Sequence, residues 1–204
     1  MSADSDHFES VAQRAQAVRL ALGVFLASET LLFTAILALV VGYRATWPEA
    51  FAFGVHHNTK VLGSINTVVL LTSSTSLAVA LEMLRTGRRR VATALTLFTA
   101  ACGVAFLAIK ITEYEHHFAE GIYPGGRGAF FVAHPIAGLP AFWTLYFLAT
   151  GFHGVHVLAG VGAVGYRAIR MPDATEIHRF EATALYWHFV DLVWLFLWPL
   201  FYLA

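Results

Sequence analysis

The residues with which this chain could do chemistry are ionisable side chains set among apolar neighbours. They are Glu29, Glu113 with His116, His153 with His156, and Glu181 followed by His188 and Asp191. Two chemistries compete for them. A carboxyl group held away from water either hands protons along a path of acids or anchors one helix to another through a hydrogen bond. Histidines a turn apart can instead hold a metal or supply the axial ligands of a haem, and His153, His156 and His188 are the candidates for the latter. Glu113-x-x-His116 has the spacing of carboxylate-bridged di-metal bundles, but such a centre needs the motif twice, with further glutamates facing inward. The chain has it once. Cys102 is the single cysteine, which excludes both a disulfide framework and a thiolate cage.

The elements that must position these residues follow from composition. Of 204 residues, 58% are hydrophobic and only 13% charged, where a soluble domain carries about a quarter charged residues. Thirteen Lys plus Arg balance thirteen Asp plus Glu, so no basic excess points to nucleic acid. Five apolar runs are long enough to cross about 30 Å of hydrocarbon: Leu20 to Tyr43, Val61 to Leu84, Val91 to Ile111, Ala141 to Tyr166 and Ala184 to Leu203. The expected fold is all-α, an integral membrane bundle of five transmembrane helices. Residues 20–204 form its single domain, and residues 1–19 a cytoplasmic N-terminal segment on the membrane surface. The first run is too long for a signal-peptide core and is expected to be retained.

Positive charge sets the direction, because Lys and Arg in short loops stay on the cytoplasmic side. Arg14, Arg19, Arg85, Arg88, Arg89, Arg90, Arg167, Arg170 and Arg179 fall on one side, against Arg44, Lys60, Lys110 and Arg127 on the other. The N-terminus is therefore expected in the cytoplasm and the C-terminus outside. The outer connection from Thr112 to Pro140 is long, and long loops tend to be functional or disordered.

Depth and helical phase then assign faces. Glu29 lies ten residues after Arg19, about 15 Å along a helix, near the bilayer midplane. An acid there must be protonated or paired and must face protein, and a hydrogen bond to His153 or His156 is its favoured use. At about 100° per residue, Gly151, Gly154, Gly162 and Gly165 share one sector, a face for close helix packing. His153, His156 and Gly160 project from the opposite side. In the last span Trp187, Asp191, Trp194 and Trp198 make one stripe, while His188 and Asp191 are a turn apart and can hydrogen-bond. That stripe is either a face covered by protein or an interfacial belt with a self-satisfied His and Asp pair.

Two segments carry a resemblance: Thr150-Gly151-Phe152-His153-Gly154-Val155-His156-Val157 and Tyr186-Trp187-His188-Phe189-Val190-Asp191-Leu192-Val193-Trp194-Leu195-Phe196. With Ser28-Glu29, Asn66-Thr67, Glu113-Tyr114 and Glu181 ahead of Tyr-Trp-His, they make the chain from Arg19 onward resemble subunit III of the haem-copper respiratory oxidases. Longer members of that family have seven helices, and shorter bacterial ones lack the first two, as here. The resemblance implies a non-catalytic subunit of a terminal oxidase in aerobic respiration, where oxygen reduction is coupled to proton pumping. It implies packing on catalytic subunit I beside subunit II, in the bacterial inner membrane. Haem and copper would reside in the partner subunits, with phospholipid but no cofactor bound here. Arg19 and Arg170, by their offsets from Glu29 and His153, match arginines that hold lipid headgroups. The stretch from Gly125 to Leu139 departs from typical members by its length.

Accessory proteins of nitric oxide reductases share the fold and part of the motifs and are the nearest alternative. A free-standing haem-binding electron carrier is the rival of another class, and a transporter would need an internal repeat that is absent. A visible spectrum of the purified chain separates the classes. The subunit reading predicts no stoichiometric Soret band from this polypeptide alone.

Overall fold

The computed structural model describes residues 11–172 and 177–203, all helix and connection with no strand among them. Five elements are long and apolar enough to cross a membrane. They are α1 (Val11–Thr46), α3 (Lys60–Arg85), α4 (Arg89–Ala119), α6 (Leu139–Ile169) and α7 (Ile177–Trp198), the last continuing into a π-helical turn, Pro199–Leu203. Two short helices, α2 (Pro48–His57) and α5 (Ala129–Ala133), lie between spans. All five expected spans are present, each longer at both ends or at one.

The turns are built by glycine. After α3 the Arg88 amide reaches back to the Met83 carbonyl and the Gly87 amide to that of Leu84, with Gly87 at φ 77°. After α4, Ile122 bonds to His117 and Gly121 to Phe118 in the same pattern, with Gly121 at φ 79°. This is the Schellman arrangement, in which a left-handed residue closes the helix and satisfies its last carbonyls.

Helix α4 runs eight residues past its expected end at Ile111. Lys110, Glu113, Tyr114 and His117 are therefore helical and face the bundle, so the expected outer loop shrinks to residues 120–138 and contains α5. Hydropathy ended the span at the first polar residues, whereas helix geometry lets polar residues continue when partners wait inside the bundle. Lys110, counted above as a loop charge, is only 5% exposed. Of the expected N-terminal segment, residues 11–19 form the first turns of α1, and the part before Val11 lies outside the described residues.

Helix α3 packs on α4, α4 on α6, α7 on both α3 and α6, and α1 along α6 and α7. Trp187 sits at the centre, fully buried, against Gly103 of α4 and Gly160 of α6. A Cβ at Gly160 would fall 2.8 Å from its indole ring. The expected packing stripe is placed differently. Among the described residues a Cβ at Gly154, Gly162 or Gly165 would meet nothing within 4 Å, and one at Gly151 only the Tyr114 hydroxyl at 3.8 Å, so this stripe receives no close-packed helix there. Its phase turns it away from α7, because the bulk of Trp187 claims the side of α6 that carries Gly160.

Gly160→Val is expected to destabilise the folded chain by about 1–3 kcal/mol through overpacking against Trp187. Gly162→Val, in open space, should be close to neutral. Unfolding by detergent titration, followed by tryptophan fluorescence, measures both.

Candidate functional site

Glu29 and His156 meet between α1 and α6, with His156 Nε2 2.9 Å from Glu29 Oε2. The other ring nitrogen, Nδ1, lies 2.9 Å from the Phe152 carbonyl. A carbonyl only accepts, so Nδ1 carries a proton. The bond to Glu29 then holds one proton, either on a neutral carboxyl group or on an imidazolium facing a carboxylate. Both forms are neutral overall, as a site flanked by hydrocarbon requires. Phe33 stands edge-on to the imidazole, and the Tyr186 hydroxyl donates to the His156 main-chain carbonyl, which holds the backbone that carries the ring.

His153 does not join that pair. It is fully buried between the Phe106 and Trp194 rings, with centroids at 5.6 and 5.3 Å. Neither ring nitrogen has a hydrogen-bond partner among the described residues.

The tryptophan stripe of α7 faces protein. Trp187 Nε1 donates to Ser73 Oγ and Trp194 Nε1 to Thr67 Oγ1, each at 3.0 Å. These bonds pin α7 to α3 at two heights. The expected bond between His188 and Asp191 is not made. His188 Nδ1 pairs with the Ser74 hydroxyl on α3 instead, and the two oxygens of Asp191, 5% exposed, meet no donor in bonding geometry. The reason is competition from α3: both side chains stand beside Ser74, and the His188 ring takes its hydroxyl.

A third cluster escaped the sequence reading. Lys110 Nζ donates to Glu113 Oε2 at 3.0 Å, to the Tyr146 hydroxyl at 2.9 Å and to the Tyr202 hydroxyl at 2.8 Å. All three ammonium protons are thereby used. Both phenols in turn donate to Glu113 Oε1 at 2.7 Å. The signal available was a Lys and a Glu three residues apart inside an apolar run, which on one helix is an ion pair. Nothing in the spacing revealed Tyr146 and Tyr202, which come from α6 and the terminal turn. Among the described residues no group of three or more His, Cys, Asp or Glu is placed to hold a metal ion. The two halves of Glu113-x-x-His116 point apart, since His116 pairs with Glu120 at the exposed end of α4.

The opposite end gathers the arginines. Arg85 Nη2 reaches Glu181 Oε1 at 2.7 Å, Arg19 lies 3.6 Å from Glu181 Oε2, and Arg89 donates to the Met171 carbonyl. Glu181 thus ties α7 to α1 and α3. Arg170 is exposed at the end of α6. Between α1, α6 and α7 a groove of about 550 Å³ opens, lined by Val18, Leu22, Phe25, Ala159, Ala163 and Tyr186, with Arg167 and Arg179 on its wall.

The family model described as cytochrome c oxidase subunit III matches residues 3–204. The chain belongs to the cytochrome c oxidase subunit III family. It is 31% identical over 198 residues to the cytochrome c oxidase subunit 3 of Branchiostoma lanceolatum, covering 91% of this chain and 68% of that one. The subunit 3 of Sus scrofa is 31% identical over 209 residues, covering 96% and 72%. A probable quinol oxidase subunit 3 of Staphylococcus haemolyticus (strain JCSC1435) is 25% identical and covers 100% of this chain and 96% of its own length. The subunit III family assignment and the five long apolar helices make the chain a multi-pass membrane protein of a multi-subunit oxidase complex.

In this subunit III family member Glu29→Gln keeps a donor toward His156 Nε2 and is expected to be tolerated. Glu29→Leu removes the bond and should loosen α1 by about 1–2 kcal/mol. Detergent-induced unfolding of the two variants tests this, and equal losses would argue that Glu29 acts as a lone charge.

Proposed function

We propose that the chain is the non-catalytic subunit III of a haem-copper terminal oxidase, packing on catalytic subunit I and holding phospholipid. The family match across residues 3–204 carries the reading. Geometry supports it. Of the polar residues in the signature segments, His156, Trp187 and Trp194 are spent on interhelical bonds rather than gathered around a substrate, which suits a supporting subunit. The outward faces of α1 and α6 remain broadly apolar, with Leu31, Val41, Val155 and Leu158 all more than half exposed. Those faces suit lipid and neighbouring subunits.

The concentration of arginine at one end favours the cytoplasmic side for that end, by the same charge rule that sorts loops in bacterial inner membranes. The buried position of Lys110 sharpens the asymmetry. For lipid, Arg19 follows directly on Val18 at the groove, and Arg170 follows Arg167 by one turn of α6. A phosphodiester with acyl chains along α1, α6 and α7 would find guanidinium forks at its headgroup. Arg167 and Arg179 join the two arginines expected from the sequence.

Native mass spectrometry of the assembly, purified through a tag on this chain from its host membrane, tests both parts. The expected assembly contains subunits I and II with haem and copper, and it retains lipid that Arg19→Ala with Arg170→Ala releases while the subunits stay together. An assembly without a haem-bearing partner would overturn the function, and a partner that reduces nitric oxide would replace it with the reductase reading. Lipid retained unchanged in the double variant would remove the headgroup assignment alone. Stripping the chain from the complex should leave initial oxygen consumption largely intact and shorten its active lifetime.

A further inference from the structure

One face of α4 carries Lys110, Glu113 and His117 at i, i+3 and i+7 and is continued by the C-cap residue Glu120 at i+10, a ladder of ionisable groups running from the end of the helix into the bundle. Its outermost rung, Glu120, is about one third exposed and is held by His57 of α2 at 2.8 Å and by His116 at 3.2 Å. Its innermost rung is the Lys110–Glu113 pair with Tyr146 and Tyr202. His117 stands between them and is only 1% exposed, with neither ring nitrogen hydrogen-bonded among the described residues. Its Nε2 lies 4.0 Å from Glu113 Oε1, beyond hydrogen-bond length but within the reach of a small ring rotation.

An imidazole with two unmet polar atoms is costly in this setting, and Trp143 at 4.7 Å and Tyr146 at 5.6 Å between ring centroids give it apolar packing that a phenyl ring would supply without that cost. A histidine here has a use only if a polar partner visits it.

We propose that His117 relays protons between the exposed Glu120 and the buried Lys110–Glu113 pair, making that pair a protonation site open to one end of the bundle. The charged and titratable groups that act on His117 are Glu113 and Lys110 from its own helix, Glu120 at that helix's C-cap and His57 from α2, with the Tyr146 ring against it and Tyr202 across Glu113. In the inward step a proton arrives at the Nδ1 side, the Nε2 proton leaves for Glu113 Oε1 as the Tyr146 hydroxyl turns its proton from that oxygen toward the Tyr202 hydroxyl 3.3 Å away, and the imidazole is left in its other neutral tautomer. The carboxylate becomes a carboxylic acid, while Lys110 keeps its ammonium charge, so the cluster gains one positive charge. The outward step reverses this, and ring rotation restores the first tautomer.

The chain has two lysines, Lys60 and Lys110, so nitrogen-15 lysine labelling gives two ammonium signals, and Lys110→Gln assigns them by removing one. The experiment is hydrogen–deuterium exchange at these ammonium groups in the full chain, reconstituted in phospholipid bilayers and followed by solid-state NMR after transfer to deuterium oxide. Lys110 is expected to exchange well before the backbone amide of Phe106 in the helix core. His117→Phe should slow Lys110 by about tenfold or more, as loss of a proton-transfer group does, with the exposed Lys60 unchanged. Glu120→Gln, at the exposed end and outside the buried cluster, should slow Lys110 in the same direction, which guards against His117→Phe having disturbed the packing. Exchange at Lys110 that matches the Phe106 amide in the parent chain, or that keeps the parent rate in both variants, would overturn the proposal.

Discussion

A polar group inside hydrocarbon has no water to fall back on, and the arrangement of these five helices depends on that constraint. Apolar side chains do not distinguish a helix neighbour from a lipid tail, so apolar contact alone leaves registers open. Hydrogen bonds close them. Trp187 to Ser73 and Trp194 to Thr67 set α7 against α3, Tyr114 to Thr150 sets α4 against α6, and Glu29 to His156 sets α1 against α6. At one end Glu181 draws α7 to Arg85 and Arg19, and at the other the Asn58 amide donates to the Phe201 carbonyl. Each bond joins residues far apart in sequence at one height in the bundle.

Helix α1 shows how few such bonds are needed. It is the least buried of the five spans, packing chiefly on α6, α7 and the short α2. Its inner stripe of Phe33, Ile36 and Val40 is buried while most of its surface faces outward. A helix with so little protein contact is placed in rotation chiefly by its one midplane acid. The glycine stripe of α6 also faces outward, so the surfaces that meet neighbours or lipid are smooth and apolar, and the polar groups that specify the fold lie within.

The Lys110–Glu113 pair obeys the same rule at higher stakes. Two charges removed from water cost several kcal/mol each, and their attraction offsets this only when the remaining donors and acceptors are met. Here Tyr146 and Tyr202 meet them, and in doing so they tie α6 and the terminal π-helical turn to α4. Burying charge thus serves to fix the end of the chain, a specific role that an apolar patch of equal area would not perform.

Composition and periodicity by themselves determined that the chain is a bundle of five membrane helices, that arginine collects at one end, and that Glu29 needs a histidine partner on the fourth span. These were legible because length, charge and depth are properties of a single segment. Two motif segments further sufficed for the family. Which histidine Glu29 takes, why His188 turns to Ser74 instead of Asp191, and how Gly160 rather than the Gly151 to Gly165 stripe receives Trp187 were decided only by tertiary structure. So was the buried cluster around Lys110, since hydropathy ends a helix at its first charged residues and cannot see two phenols arriving from other elements. The physical reason is common to all of these. Whether a polar side chain ends a span or enters a core depends on what stands opposite it at the same depth, and in this bundle that partner lies about 30 or more residues away in the chain.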